Sequence, residues 1–329
     1  MRRVAVPLGL TPASARPREG RTVRLSGPTM GVSWTLNAHA PAAVSEAALA
    51  DAVQAACNLV VAQMSSWEPG SDLSLFNSAP AGSWIALPPE MATVVRAGLE
   101  LAEATGGAFD PTLGALVDLW GFGAAGAVDR PPQAEALAAA RAGWRSLQMD
   151  ARGRLLQPGG VRLDLSGIAK GYGVDLAAQA VQALGVRDFL IEIGGELRGS
   201  GVKGDGEPWW VEIERPPGAE LPEPPVLVAL HGLSIATSGD WRRAFTADGR
   251  RYSHTLNPVA RTPVAGGLAA VSVLHRVCMQ ADALATALMV LGPEAAAFAE
   301  ERGVAALLVR RTDEGFEEQI SPAFARLLD

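Results

Sequence analysis

Residues 163–175, Leu-Asp-Leu-Ser-Gly-Ile-Ala-Lys-Gly-Tyr-Gly-Val-Asp, change period half-way along. Val161 to Leu165 alternates apolar and polar residues, as a short buried strand does. Beyond Ser166-Gly167, the residues Ile168, Tyr172, Leu176 and Val181 recur at helical spacing. The stretch therefore predicts a strand, a tight glycine turn and a helix. Gly167 lets backbone approach closely, and the first N–H groups of a helix carry partial positive charge that favours anions. Lys170 in the first turn adds a full charge, and Asp164 at the strand end adds an acceptor. A phosphate or a metal–phosphate pair would suit such a place. The glycine spacing is that of neither a P-loop nor GxGxxG, and an ordinary strand-to-helix turn with a surface lysine fits the local pattern equally well.

Outward from this stretch, hairpins and helices are interspersed. Arg21 to Ala38 alternates around Gly27-Pro28, which predicts a hairpin with Thr29-Met30-Gly31 between its runs. Residues 42–64 and 90–104 read as helices, and 65–81 as a loop. Asp110-Pro111-Thr112 is expected to cap a short helix that Gly121-Phe122-Gly123 ends. Residues 124–132 read as a linker and 133–143 as helix, with strands near Leu147, Leu155 and Leu163. Strands follow at 189–193 and 196–201 around Gly194-Gly195, then at 209–214 and 226–230. Ile235–Asp240 and Tyr252–Pro258 bracket a turn at Asp248-Gly249. A strand at 268–275, helices at 278–291 and 293–301, and a last strand at 303–309 complete the chain. Strands that come both in hairpins and between helices indicate α+β rather than a doubly wound sheet.

The chain has 329 residues, 48% of them hydrophobic, and a net charge of −7. That is enough for one large domain or two ordinary ones. No basic run interleaves with aromatics, which argues against nucleic acid as a partner. No apolar stretch reaches spanning length, so no transmembrane segment is expected. Cys57 and Cys278 lie far apart without a CxxC context and read as buried free thiols. Residues 1–20 combine Arg2-Arg3, a short apolar run broken by Pro7, and Ala13-Ser14-Ala15; they read as disordered or as the remnant of an export signal.

Three groups of residues carry possible chemistry. Asp282 and Thr286 lie four apart among alanines on a predicted helix and so share a face. Two hard oxygens there suit Mg²⁺, which takes few protein ligands; an N-terminal cap with a threonine bonding back along the helix is the alternative. His254, at a strand end before Asn257-Pro258, can act as a general base or be a hydrogen-bonded structural histidine. Trp67, Trp120 and Phe122 lie beside glycines or polar loops and can stack on a planar ring or fill a core.

Taken in order, these pieces resemble the ApbE-type FAD:protein FMN transferases. The matching segments are Thr29-Met30-Gly31, Met64-Ser65-Ser66-Trp67 with Phe76-Asn77, Ala108-Phe109-Asp110-Pro111-Thr112 with Trp120-Gly121-Phe122-Gly123, and Leu163-Asp164-Leu165 running to Lys170-Gly171-Tyr172. Ile193-Gly194-Gly195-Glu196, Ala236-Thr237-Ser238-Gly239, His254 with Pro258, and Asp282 with Thr286 complete the set, from residue 29 to about 292. The resemblance implies one two-lobed α/β domain over 21–329, its lobes intertwined, with FAD in the cleft between them. It implies Mg²⁺-dependent transfer of FMN from FAD to a Thr or Ser hydroxyl of an acceptor flavoprotein, of redox-pump or reductase-subunit type, with release of AMP. It also implies a periplasmic or membrane-associated setting, or a cytoplasmic one if the N-terminal segment is no export signal. Carried over by motif, Met30, Trp67, Ala108, Phe109, Asp110, Asp164, Lys170 and Leu256 line the FAD site. Gly167, Asp282, Ala285 and Thr286 hold the metal, the glycine through a backbone oxygen, and His254 assists proton transfer.

Two departures stand out. The family's histidine is followed by Asp-Pro and then a glycine; here Asn257-Pro258 is followed by Arg261 at the glycine position. Trp67 replaces the family tyrosine. Mg²⁺-dependent hydrolysis of FAD to FMN and AMP, and a non-catalytic flavin-binding assembly role, are the other functions this pattern allows.

Overall fold

The computed structural model describes residues 3–328 apart from positions 8, 12, 17, 222 and 266. The first alternating runs pair as the strands Arg21–Thr29 and Val32–Ala40. Their turn is Met30-Gly31, not Gly27-Pro28, which lies within the first strand opposite Trp34 and Ser33. Both turn residues take positive φ, 49° and 70°, the two-residue geometry that matches the twist of flanking strands.

This hairpin forms one edge of an eight-stranded antiparallel sheet. Its spatial order is Gly315–Ile320, Ala305–Thr312, Leu268–His275, Leu233–Gly239, Glu196–Ser200, Asp188–Ile193, Val32–Ala40, Arg21–Thr29. The helices Glu46–Met64, Ala169–Ala183 and Cys278–Leu291 pack together and against it. Leu268–His275 explains why the core divides in two. Its Val271 and Val273 join the helical side, whereas Ala270 and Leu274 join a second core under Val226–Ala229 and Pro322–Ala325. Alternate residues serve opposite faces, so the strand is apolar throughout. The arrangement is α+β, as expected. A separate aromatic cluster of Leu116, Trp120, Phe122 and Leu256, with Phe245 and Tyr252 against it, lies outside these cores.

Several local expectations fail for identifiable reasons. Leu163–Leu165 is no strand: only isolated bridges form, at Val161 and Arg162. The Asn77 side chain serves instead as the pairing partner, accepting from the Leu163 N–H at 2.7 Å and donating to its C=O at 3.0 Å. The supposed loop 65–81 contains the helix Asp72–Ser78, capped by the Ser71 hydroxyl. Near Leu147 there is a 3-10 turn, Trp144–Ser146, in place of a strand. Asp110 does not cap the helix Gly114–Leu119, whose N-terminus has no side-chain cap. Within residues 1–20, where disorder or an export remnant is expected, Arg3–Ala5 forms a strand parallel to Val226–Val228, and Ala5 is buried.

Two segments, Glu46–Met64 and Cys278–Glu301, are long and apolar enough to cross a membrane by length and composition alone, contrary to the sequence reading. Alanine-rich composition raises their mean hydropathy to 1.3. Their apolar residues, Leu49, Val53, Leu284 and Leu288 among them, pack into the protein core.

Candidate functional site

The turn 164–168 is built by local bonds. The Asp164 carboxylate accepts from the Ser166 N–H at 2.8 Å, an Asx-type turn, and burial pushes its pKa up against that bond. The helix Ala169–Ala183 then begins without a side-chain cap. Its first turn does attract an anion, but that anion belongs to the protein: the Gly171 N–H donates to Asp282 Oδ2 at 3.0 Å. Gly171 makes this possible, because a Cβ there would lie 2.5 Å from the Cys278 carbonyl oxygen and 2.8 Å from Asp282 Cβ. The helices Ala169–Ala183 and Cys278–Leu291 therefore touch backbone to backbone at this point.

Asp282 is 5% exposed. Burial raises its pKa, with Lys170 and the Gly171 N–H pulling the other way. Lys170 Nζ lies 2.5 Å from Glu196 Oε1. Burial works against the ammonium, yet Glu196 and Asp282 outweigh it and hold Lys170 above its ordinary pKa. Glu196 is itself buried, which raises its pKa to about 7 despite Lys170, and its Oε2 has no hydrogen-bond partner among the described residues. Gly194-Gly195, both at positive φ, form the two-residue turn that delivers Glu196.

One turn beyond Asp282, Thr286 Oγ1 lies 3.4 Å from Ser238 Oγ. The Gly167 backbone packs against the same hydroxyl; a Cβ on Gly167 would sit 3.0 Å from it. Gly167, Asp282 and Thr286 thus converge. Ala285 is fully buried in mid-helix, where its carbonyl belongs to the helical ladder.

His254 is half-buried at the end of the hairpin formed by Ala244–Ala247 and Arg250–Ser253. Its Nδ1 lies 3.2 Å from the Arg243 carbonyl. A carbonyl can only accept, so Nδ1 carries the proton and Nε2 keeps a lone pair. Burial, with Arg243, Lys170 and Arg242 adding positive charge, lowers its pKa to about 4, so the ring is neutral at pH 7. Phe122 meets it edge-on at 6.3 Å between centroids.

The other expected residues fall into three groups. Met30 packs beside Gly173 of the central helix, and Trp67 is 57% exposed in its loop. Phe109 is buried against Gly98 and beside Gly167, and Leu256 is buried in the aromatic cluster. Ala108 lines a groove of about 530 Å³ shared with Asn257, Val259 and Leu291. Asp110 instead turns its carboxylate to its own surroundings: Oδ1 accepts from the Thr112 hydroxyl at 2.6 Å and Oδ2 from the Trp144 N–H at 3.2 Å. Sequence reasoning missed Asp175, which accepts from the Cys278 and Met279 N–H groups and from Arg198, and so caps the helix that carries Asp282. It also gave Glu196 no role, although Gly-Gly-Glu stood out.

The ApbE family model matches residues 30–308. The chain belongs to the ApbE family. It is 37% identical over 310 residues to a FAD:protein FMN transferase of Vibrio cholerae, covering 93% of this chain and 92% of that one. A FAD:protein FMN transferase of Haemophilus influenzae is 34% identical, with 99% and 97% covered. The crystal structure of the apo form of Pseudomonas stutzeri flavinyl transferase ApbE superposes with a TM-score of 0.86 at 40% identity, covering 93% of this chain and 96% of that one.

The donors in this ApbE-family protein suit Mg²⁺ on their chemistry. Asp282, Thr286, Ser238 and the Gly167 backbone offer only oxygen. No cluster of three or more His, Cys, Asp or Glu occurs among the described residues. A hard cation that keeps waters and substrate phosphates as ligands needs one carboxylate and no closed cage. The burial that raises the Asp282 pKa is the cost that such a cation would offset.

Proposed function

We propose that this protein transfers FMN from FAD to a Thr or Ser hydroxyl of an acceptor flavoprotein, releasing AMP, with Mg²⁺ as cofactor. The observation that carries it is the docking of Asp282 onto the first turn of the Lys170 helix, with a histidine, neutral at pH 7, within the field of that lysine. Asp282, Thr286 and the Gly167 backbone would hold the metal. Bound there, Mg²⁺ would neutralise pyrophosphate charge and stabilise the departing AMP.

The chain's own residues supply the rest. Lys170, kept protonated by Glu196 and Asp282, faces the pyrophosphate with a full positive charge, which counts for most where water is excluded. His254 Nε2 takes the proton of the acceptor hydroxyl as its oxygen bonds to the FMN phosphorus and the bond from phosphorus to AMP breaks. Such a base contributes ~10²- to 10⁴-fold. Trp67, open to solvent, offers a face on which a ring of FAD stacks. Met30, Ala108, Phe109, Asp164 and Leu256 complete the site, Asp110 acting by bracing the 108–112 turn. An acceptor of the redox-pump or reductase-subunit type would present its hydroxyl at His254.

Incubation with FAD and Mg²⁺, with and without an acceptor bearing a Thr or Ser flavinylation motif, tests this. Labelled acceptor and stoichiometric AMP are expected from the native chain and neither from Asp282→Ala. AMP with free FMN and no label would convert the assignment to FAD hydrolysis. Bound FAD without AMP would make the protein a flavin carrier.

A further inference from the structure

Arg261 adopts φ 59°, the left-handed region. The other described non-glycine residues there, Met30 and Asp248, are each followed by glycine in a two-residue hairpin turn. Arg261 ends a longer turn and carries a long side chain, for which this conformation is strained. Its contacts show what offsets the strain. Nη1 donates to the carbonyls of Leu137 at 2.6 Å and Ala140 at 3.0 Å. These lie at the C-terminus of the short helix Ala134–Ala139, where carbonyls lack helical partners and carry partial negative charge, so a guanidinium is well matched to them. The Arg261 carbonyl accepts from the Trp120 indole at 3.0 Å, and its N–H donates to the Asn257 carbonyl at 2.8 Å.

The segment so anchored is stiff. Asn257 Oδ1 accepts from the N–H groups of Val259 and Ala260, both at 2.9 Å. Leu256 pairs with Pro263 and Asn257 with Thr262, and the Val264 N–H donates to the Thr255 carbonyl at 2.9 Å. His254 is the next residue, and Leu256 sits inside the anchored ladder against Trp120 and Phe122. On its other side His254 is held by the Arg243 carbonyl.

Resting on the proposed transferase reaction, we infer that Arg261 is a positioning residue: it straps the 255–264 loop to the 120–140 segment and so fixes His254 for proton abstraction. A glycine at 261 would relax the backbone but lose the strap. Of the residues proposed for the FAD site, Lys170, Met30 and Trp67 lie on other elements, and Leu256 lies inside the strapped loop.

The test compares the native chain with Arg261→Gly, Arg261→Asn and Arg261→Lys. Asparagine tolerates the left-handed backbone without reaching the helix, so it covers a failure of the glycine variant to fold. Expected results are a fall of about tenfold in the kcat of acceptor labelling at saturating FAD for the Gly and Asn variants, a smaller loss of FAD affinity through Leu256, and partial rescue of kcat by Lys. A kcat within twofold of native, or loss confined to FAD affinity, overturns the assignment. Amide hydrogen exchange at Val264 separates this from failure of the transferase reading, because it needs no turnover. If the native chain neither labels acceptor nor releases AMP, exchange at Val264 at least tenfold faster in Arg261→Gly still supports the strap, and unchanged exchange refutes it.

Discussion

Replacing Gly171 by alanine should damage both stability and turnover, although alanine is the better helix former. The added Cβ would lie 2.5 Å from the Cys278 carbonyl oxygen and 2.8 Å from Asp282 Cβ. Carbon–oxygen contacts settle near 3.3–3.6 Å, so the two helices must part by roughly 1 Å. Neither neighbour is the free end of a flexible side chain. Overpacking of this kind costs about 1–3 kcal/mol, and the helix preference for alanine returns only about 0.5–1 kcal/mol. A net loss of about 1 kcal/mol follows, with an upper end of about 2.5 kcal/mol. The same movement draws Asp282 and Thr286 away from Gly171 and Gly167, and a misplacement of about 1 Å in a reacting constellation can cost ~10²-fold. Urea unfolding measures the first effect and AMP release with acceptor labelling the second. Gly173→Ala is the stability control, since its Cβ meets Met30 Cε at 3.3 Å and Ile193 Cδ1 at 3.6 Å, both movable side-chain ends; it should change stability by less than about 1 kcal/mol. A Gly171→Ala protein as stable as the native chain, with turnover within threefold, would refute the close-contact account.

Asp175→Ala removes the acceptor of the Cys278 and Met279 N–H groups and leaves Arg198 without its partner; a loss of roughly 3 kcal/mol in urea unfolding is expected, with a higher Mg²⁺ requirement. Thr286→Val keeps the shape and removes a hydroxyl oxygen, so half-maximal turnover should need at least about tenfold more Mg²⁺, and chelation should stop turnover in both proteins. Because His254 titrates near 4 rather than 6.5, the base stays neutral on acidification until that range. At saturating Mg²⁺, kcat/KM should therefore hold from pH 8 to about 5.5 and fall only as pH drops toward 4; an acid limb centred near 6.5 would contradict the burial of this ring.

The long elements were legible because each is a sustained apolar or periodic run between clear stop signals, whether it serves two cores as a strand or one as a helix. Leu268–His275 and Cys278–Leu291 coincide with their sequence expectations to the residue. Short elements were not, because side chains rather than periodicity decide them. Val161–Leu165 has a strand pattern, but Asn77, 86 residues away in sequence, takes the bonds that a neighbouring strand would have used. The hairpin turn was misplaced because Gly27-Pro28 looks like a turn dipeptide, whereas Met30 bears the positive φ. At the candidate site, the motifs named Asp282, Thr286, Gly167 and Lys170, and the structure places them on contacting elements. Asp175 was missed, since an aspartate in mid-helix gives no local sign that it caps another helix 103 residues on.

The buried charges explain why these residues belong together. Asp282 and Glu196 share the cation Lys170, in surroundings that desolvate all three. Two carboxylates and one ammonium leave one negative charge unbalanced, and a buried excess charge must be met by a proton or by another cation. The upward shifts of both acids are the proton answer; a divalent cation at Asp282 is the other. With such a cation bound, Glu196 would be free to ionise and to hold Lys170 protonated, and the lysine would meet a pyrophosphate as a full charge. With Arg242 and Arg243 adding positive potential, a cation-loaded site would carry a positive surplus that an anion such as a pyrophosphate offsets. His254, in the same field, is kept neutral by burial and by nearby positive charge, the state that the proposed proton transfer requires. Each group is costly in isolation, and the proposed substrate and cation would together complete the set.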